Sequence, residues 1–331
     1  MKVAYIITPS AIVSGKSNGI KSQAISYQKI LENNNHNVIN IDNWKNYNFR
    51  EFDAIHFFGN GTWMLPIIKR LSVINNNIFV SPIIDSNTPN FIYYLYSLIG
   101  FPKLKLVTPS YSLTEISKYI KGFVVRSNYE FDKVNLLVSK HKIFKIGLVI
   151  ADRVDIDLSD KKNYCLHVSS IYQKRKNVIR LVRAAKKYNF KLILAGSTGT
   201  KKQFKILEDE ISNSSNIIVK GFVTEVELDN LYREAKVFAL PSLREGVGIV
   251  ALDASMKGCN IVITEKGGGK EFYNNYAHTV NPKSIDEIGK AVMKSMEKDF
   301  DIRLIDYLCD NYSGNKINDK LVKLYCNKFL K

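Results

Sequence analysis

Short apolar runs alternate along this chain with stretches whose apolar residues recur every three or four positions, and no other feature constrains the fold as much. A strand covered on both faces reads as a continuous apolar run, and a crossover helix reads with a 3.6-residue period. Their repeated alternation predicts an α/β protein with parallel sheets. VAYIIT (3–8), VINI (38–41), AIHFF (54–58), IFVSPII (78–84), GFVVRS (122–127) and KIFKI (142–146) form one series of strands. YCLHVS (164–169), KLILAG (191–196), NIIVKGF (216–222), KVFALPS (236–242) and NIVITE (260–265) form a second. A helix carrying Ile20, Ala24, Tyr27, Ile30 and Leu31 follows the first strand, and others are predicted at 177–189, 225–235, 284–299 and 315–330. Periodicity lapses across 147–162, which marks a hinge. The expected organisation is a doubly wound domain over 1–150, a second over 151–300, and helices at 301–331 packing back on the first. Ligands of such sheets sit beyond the carboxyl ends of the strands, so the cleft that the two domains face is the expected site.

The chain carries 48 Lys plus Arg against 31 Asp plus Glu, a formal charge of +17. Such a surface attracts nucleic acid, an acidic membrane face or phosphorylated small molecules. Part of the excess accompanies a general richness in Lys, Asn and Ile of the kind a low-GC genome produces. Zinc-finger spacing, an RNA-recognition aromatic signature and long basic blocks are missing, so nucleic acid is not the expected partner. Cys165, Cys259, Cys309 and Cys326 show no metal-ligand spacing and read as reduced thiols. No apolar run reaches the ~18 residues of a membrane span, and MKVAYIITPS reads as a buried strand rather than a signal peptide. The expected location is the cytoplasm or the inner face of the membrane.

PSLREGVGIVALDASMKG (241–258) places Glu245 between an apolar strand and two glycines, with Asp253 further along the helix that follows. A helix start presents unpaired N–H groups and a positive dipole end, and Gly246 and Gly248 let a phosphate or sugar approach the backbone. Glu245 is suited to accept from sugar hydroxyls, and Asp253 to reach a ribose diol. A capping Glu beside a solvated Asp is the plainer alternative.

This segment resembles the signature PSxxEGFGLPxLEAMACG of the retaining GT-B glycosyltransferases of family four. VSSIYQKRKN (168–177) is similar to that family's GRLxPxKG, LILAGSTG (192–199) to its LxIxGxG strand, and VKGFVTEVELDNLYREAKVFALPS (219–242) to the segment before the signature. The first half matches more weakly, through Asn18-Gly19-Ile20 and HNV (36–38). The resemblance implies a GT-B fold of two Rossmann-like domains, a nucleotide-diphosphate sugar as donor, and transfer to an acceptor hydroxyl with retention. Glu245 would hold the donor sugar, while Lys176 and Arg175 would neutralise the leaving diphosphate. Ser169, Gly246, Val247, Gly248 and Ile249 would line the sugar and diphosphate, with Gly19 approaching from the first domain. Asp253 would bind the ribose, and Gly221, Val223 and Thr224 would read the base. No metal or other cofactor is implied. Acceptors of the kind implied are a glycan, a lipid-linked sugar or a protein, within bacterial surface polysaccharide or glycoconjugate synthesis.

Three positions depart from the family pattern. Asp253 stands for a Glu, Ser170 for an Arg, and the first-domain His is missing near SPIID, leaving Asp85 and His56 as acceptor-side candidates. These departures keep open a catalytically silent subunit that partners another transferase; a basic nucleic-acid-binding protein is the remaining alternative. Asp155-Ile-Asp157 is formally a DxD, but in the hinge it reads as coincidence. GNGTW (59–63) and GSTGTKK (196–202) are not phosphate loops of the GxxxxGK[ST] type. NFIYYLYSLIGFPKLKL (90–106) reads as a helix in the first core, or as an aromatic-basic helix lying on an acidic membrane.

Overall fold

The computed structural model describes residues 1–331 except 10, 12–18, 43, 86–87, 102–105, 152, 154–155 and 327–331. Asn18 and Asp155 thus lie outside the described residues. The chain divides into two units, one of Met1–Val149 with Tyr312–Lys331 and one of Ile150–Asn311.

In the first unit the strands of the parallel sheet are β1 (Lys2–Ile7), β2 (Asn37–Asn40), β3 (Ala54–Phe58), β4 (Ile78–Ser81), β5 (Gly122–Val125) and β6 (Ile143–Lys145). They form one parallel sheet of order β2-β1-β3-β4-β5-β6. The helices between them are α1 (Gly19–Asn33), α2 (Met64–Leu71), α3 (Asn90–Leu98), α4 (Pro109–Ile116) and α5 (Asn128–Asn135). Strand β3 is buried along its length because both of its faces are covered. Ile55 and Phe57 pack among Met64, Ile68, Leu71, Leu113 and Ile116. Ala54 and Phe58 point the other way, among Ala24, Tyr27 and Leu31 and the C-terminal residues Ile317, Leu321 and Leu324. The expected strand at 78–84 stops at Ser81, because Pro82 has no N–H to give the ladder.

The C-terminal helix Gly314–Tyr325 is seated on this sheet by polar bonds as well as apolar contact. Tyr325 OH lies 2.7 Å from His56 Nδ1 and 3.3 Å from Tyr5 OH, and Asn77 Nδ2 donates to Tyr325 O at 2.8 Å. The other ring nitrogen of His56 is 2.9 Å from Ser81 Oγ.

The second unit repeats the plan with β7 (Lys162–Val168), β8 (Leu192–Ala195), β9 (Ile217–Gly221), β10 (Ala235–Leu240), β11 (Asn260–Thr264) and β12 (His278–Val280). Their order is β9-β8-β7-β10-β11-β12, all parallel. Helices α6 (Val178–Tyr188), α7 (Lys201–Ile211), α8 (Glu225–Glu234), α9 (Ile249–Ser255) and α10 (Ile285–Glu297) connect or flank them. Leu181, Val182 and Ala185 of α6 and Ile288 and Val292 of α10 bury one face of the sheet. Strand order reverses between β7 and β10, and ligands of such sheets bind beyond the carboxyl ends of the strands at this point. Strand β12 was not foreseen: it has three residues, and only Val280 is buried.

Candidate active site

Ser169, Arg175, Lys176 and Glu245 lie on the loops that follow β7 and β10. Past Val168 the chain runs through Ser169 to a short 3-10 turn, Lys174–Lys176. Past Leu240 it runs through Pro241 and Ser242 to Glu245. Leu243 N donates to Arg175 O at 2.8 Å, tying one loop to the other. Asn177 sits between them in the left-handed region at φ 60°, which Asn tolerates better than most side chains. Its Nδ2 donates to Pro241 O at 2.9 Å and to Pro282 O at 2.6 Å.

This frame sets Lys176 Nζ 2.8 Å from Glu245 Oε2, with both side chains about nine-tenths buried. Ser242 Oγ donates to the same carboxylate oxygen at 3.0 Å. Behind Glu245, the loop after β11 braces the backbone: Glu245 N donates to Lys266 O at 3.2 Å, and Gly267, at φ +98°, crosses close to Glu245. A Cβ on Gly267 would stand 2.1 Å from Glu245 O, so only glycine fits. Gly246, Val247 and Gly248 are buried around the turn into α9. Gly248 takes φ +77° there, again a conformation that favours glycine.

Ser169 Oγ lies 2.7 Å from Nε2 of the buried His167, whose Nδ1 lies 2.7 Å from Ala239 O. A carbonyl only accepts, so Nδ1 carries the proton and Nε2 accepts from Ser169. Burial depresses the imidazole to about 4, and the nearby Lys176 ammonium adds to that. Arg175 is half-buried, with Nε donating to Gln173 Oε1 at 3.1 Å. Gly221 ends β9 at φ +69° and Val223 is half-buried, while Thr224 caps α8. The Thr224 amide is committed to Glu227 Oε2 at 2.9 Å within a capping box.

Asp253 lies half-buried in α9, and burial pushes its carboxyl up to about 6 against the pull of Lys257. Holding that charge has a stability cost. The folded pKa exceeds the usual 3.8, so the penalty is absent at low pH, grows as pH rises from 3.8, and is complete above about 6. A displacement of about two pK units corresponds to roughly 3 kcal/mol. Asp253→Asn is therefore expected to unfold at a higher temperature than wild type at pH 7.5, with the gain shrinking towards pH 4. Equal midpoints at pH 7.5 would contradict that.

Three candidates lie in the first unit. Gly19 opens α1, with nothing within 4 Å of where its Cβ would stand. His56 is fully buried in mid-strand with both ring nitrogens engaged, and burial depresses it to about 3. The acceptor-side expectation for His56 is corrected to one of holding the C-terminal helix. Asp85 is exposed and accepts from Arg126 Nη2 at 3.1 Å, while Arg126 is itself paired inside with the buried Glu130.

Asn177, Ser242, His167 and Gly267 were not singled out in the sequence. Asn177 had a readable signal, an Asn just ahead of a helix start, and Ser242 lies inside the quoted signature. Gly267 lies in the glycine run of EKGGGKE (265–271), which reads as a phosphate-binding or tight turn, whereas nothing local marks His167. Among the described residues no group of three or more His, Cys, Asp or Glu is placed to hold a metal ion.

Residues 150–308 match the family described as glycosyl transferases group 1. That match spans almost the whole of the second unit. An uncharacterized glycosyltransferase, MJ1607 of Methanocaldococcus jannaschii, is 30% identical over 191 residues, 52% of this chain and 47% of that protein. The O-antigen chain mannosyltransferase B of Escherichia coli is 25% identical over 145 residues, 42% of this chain and 38% of that one. The chain thus spans less than half the length of these curated relatives. Among solved structures, Anabaena Alr3699/HepE in complex with UDP and glucose superposes with a TM-score of 0.69 at 14% identity, over 98% of both chains. The fold is the expected GT-B fold.

Proposed function

We propose that the protein is a retaining glycosyltransferase that moves a sugar from a nucleotide-diphosphate donor to an acceptor hydroxyl. The observation that carries this reading is the buried Lys176–Glu245 pair at the carboxyl edge of β7 and β10. A diphosphate sugar needs a cation for its developing charge and an acceptor for its hydroxyls, and this pair supplies one of each. On donor entry Lys176, with Arg175, turns to the diphosphate, and Glu245 accepts from the sugar hydroxyls. In the transition state the anomeric bond breaks and negative charge gathers on the phosphate, where a fixed ammonium in a dry site stabilises it most. The acceptor proton passes to the departing phosphate as the sugar is attacked on the face it leaves, which retains configuration. This step uses a basic pair in place of a metal ion.

The Gly246–Ile249 backbone and Ser169 line the sugar and diphosphate. Asp253, mostly ionised at neutral pH, accepts from the ribose; a buried carboxylate kept despite its cost suits a ligand role. Gly221 and Val223 face the base, with Thr224 limited to its remaining groups by the cap. UDP is the first nucleotide to test, because the Anabaena structure holds it. The O-antigen relative supports an acceptor in surface polysaccharide or glycoconjugate synthesis. Asp85 is the remaining acceptor-side candidate.

Thermal unfolding with UDP, GDP, ADP, CMP and their sugars tests the donor site. At about 100 times its Kd a ligand adds about 2.7 kcal/mol, a rise of several degrees in midpoint. One base is expected to produce it, and Lys176→Met to lose it relative to its own ligand-free midpoint. Indifference to every nucleotide would sink the donor reading.

A further inference from the structure

Helix α3 buries only Tyr93 and Ser97, four residues apart on one narrow face, where it packs on α4. Everything else large on it is exposed: Phe91 at 70%, Leu98 at 62%, and Ile92, Tyr94, Leu95 and Tyr96 between 38% and 47%. Ile99 and Leu106 extend the patch beyond the helix. Of the two readings of this stretch, a core helix or a surface helix, the exposure supports the second. Apolar positions all around a helix made it look internal, yet the sheet face it would have filled is already covered by α2 and α4.

At helical spacing, Phe91, Leu95 and Leu98 form an outer ridge opposite Tyr93 and Ser97, with Tyr94 on one flank and Tyr96 on the other. The ridge is firmly held: Lys133 Nζ donates to Asn90 Oδ1 at 2.8 Å and to Thr88 O, and Thr108 Oγ1 donates to Tyr96 O. An apolar ridge between tyrosines matches the boundary between acyl chains and head groups. The net charge of the unit that carries the ridge favours an anionic partner. The first unit holds 22 of the 48 Lys and Arg but 9 of the 31 Asp and Glu, +13 of the chain's +17. Between Asp85 and Glu115 the sequence has no acid and contains Lys103 and Lys105.

We propose that α3 docks the first unit onto an anionic lipid bilayer, with Phe91, Leu95 and Leu98 inserted among the head groups. A second copy is the poorer occupant, since a two-fold contact would bring together two units that each carry +13. The proposal is independent of the donor site, and its test contains no nucleotide.

Sedimentation with phosphatidylcholine vesicles, with and without phosphatidylglycerol, reads it directly. Wild type is expected to partition onto the anionic vesicles, less so at high salt. The variant Phe91→Ser, Leu95→Ser, Leu98→Ser is expected to partition at least roughly tenfold less, having lost the inserted ridge. Those positions are exposed, so the variant should keep its unfolding midpoint and any nucleotide response. Failure of wild type to bind anionic vesicles would overturn the proposal, and so would unchanged binding by the variant. A wild-type dimer that the variant dissolves, without vesicle binding, would assign the patch to self-association instead.

Discussion

Glu245→Gln is expected to lower glycosyl transfer by at least about 100-fold, a typical loss when one preorganised transition-state contact is removed. Glutamine is the substitution to make, because alanine confounds two effects. Glu245 is the counter-charge of a Lys176 that is itself about nine-tenths buried. Breaking such a pair from one side typically costs about 3–5 kcal/mol, since the remaining charge stays buried and unpaired. Glutamine keeps an oxygen for Ser242 and Lys176 and removes only the charge. A double variant, Lys176→Met with Glu245→Gln, should recover part of any stability lost in the single variants and none of the transfer. Activity is read as sugar transferred from the nucleotide sugar that raises the unfolding midpoint, and stability as urea unfolding. Near-wild-type transfer by Glu245→Gln would reduce the pair to a structural ion pair.

Acid should destabilise the first unit more than the second. His56 and His167 are both buried, and burial holds them at about 3 and about 4, below the usual 6.5. A depressed imidazole stays neutral when folded and takes a proton when unfolded. Its stabilising contribution is therefore whole above pH 6.5 and is lost as pH falls towards the folded value. At pH 5, each loss is of order 2 kcal/mol. In the second unit Asp253 works in the opposite sense over the same interval, because its penalty fades as pH drops through 6. The first unit has no described counterweight of this kind. Trp44 and Trp63, the chain's two tryptophans, both lie in the first unit, so their fluorescence follows it alone. Urea midpoints read from tryptophan should fall steeply between pH 7 and pH 5. His56→Gln, which has no ring to protonate, should flatten that slope, and a flat wild-type profile would contradict the account.

The parallel sheets and the signature around Glu245 were legible because each rests on local pattern. AIHFF is apolar except at His56 because β3 is covered on both faces, and the run gave its ends to the residue. Lys176 and Glu245 were legible as a pair only through family resemblance. Their meeting across 69 residues depends on Asn177 and on the Leu243–Arg175 backbone bond, neither of which leaves a periodic trace. His56 misled for a related reason: its partner Tyr325 lies 269 residues away, and no window on the sequence joins them. α3 fitted either reading, since an apolar helix facing outwards has the same pattern as one facing in.

The first sheet closes with a helix made last. Residues Tyr312–Lys331 complete a unit whose other residues end at Val149, and the whole second unit is synthesised in between. While the ribosome is still translating the middle of the chain, the face of β3 that bears Ala54, His56 and Phe58 has α1 but lacks the C-terminal part of its cover, and His56 lacks the hydroxyl of Tyr325. The nascent first unit must wait in that state, with apolar surface open, for as long as the remaining residues take to emerge. A stop codon after residue 311 would leave the signature segment intact and still yield a protein whose first unit cannot finish folding.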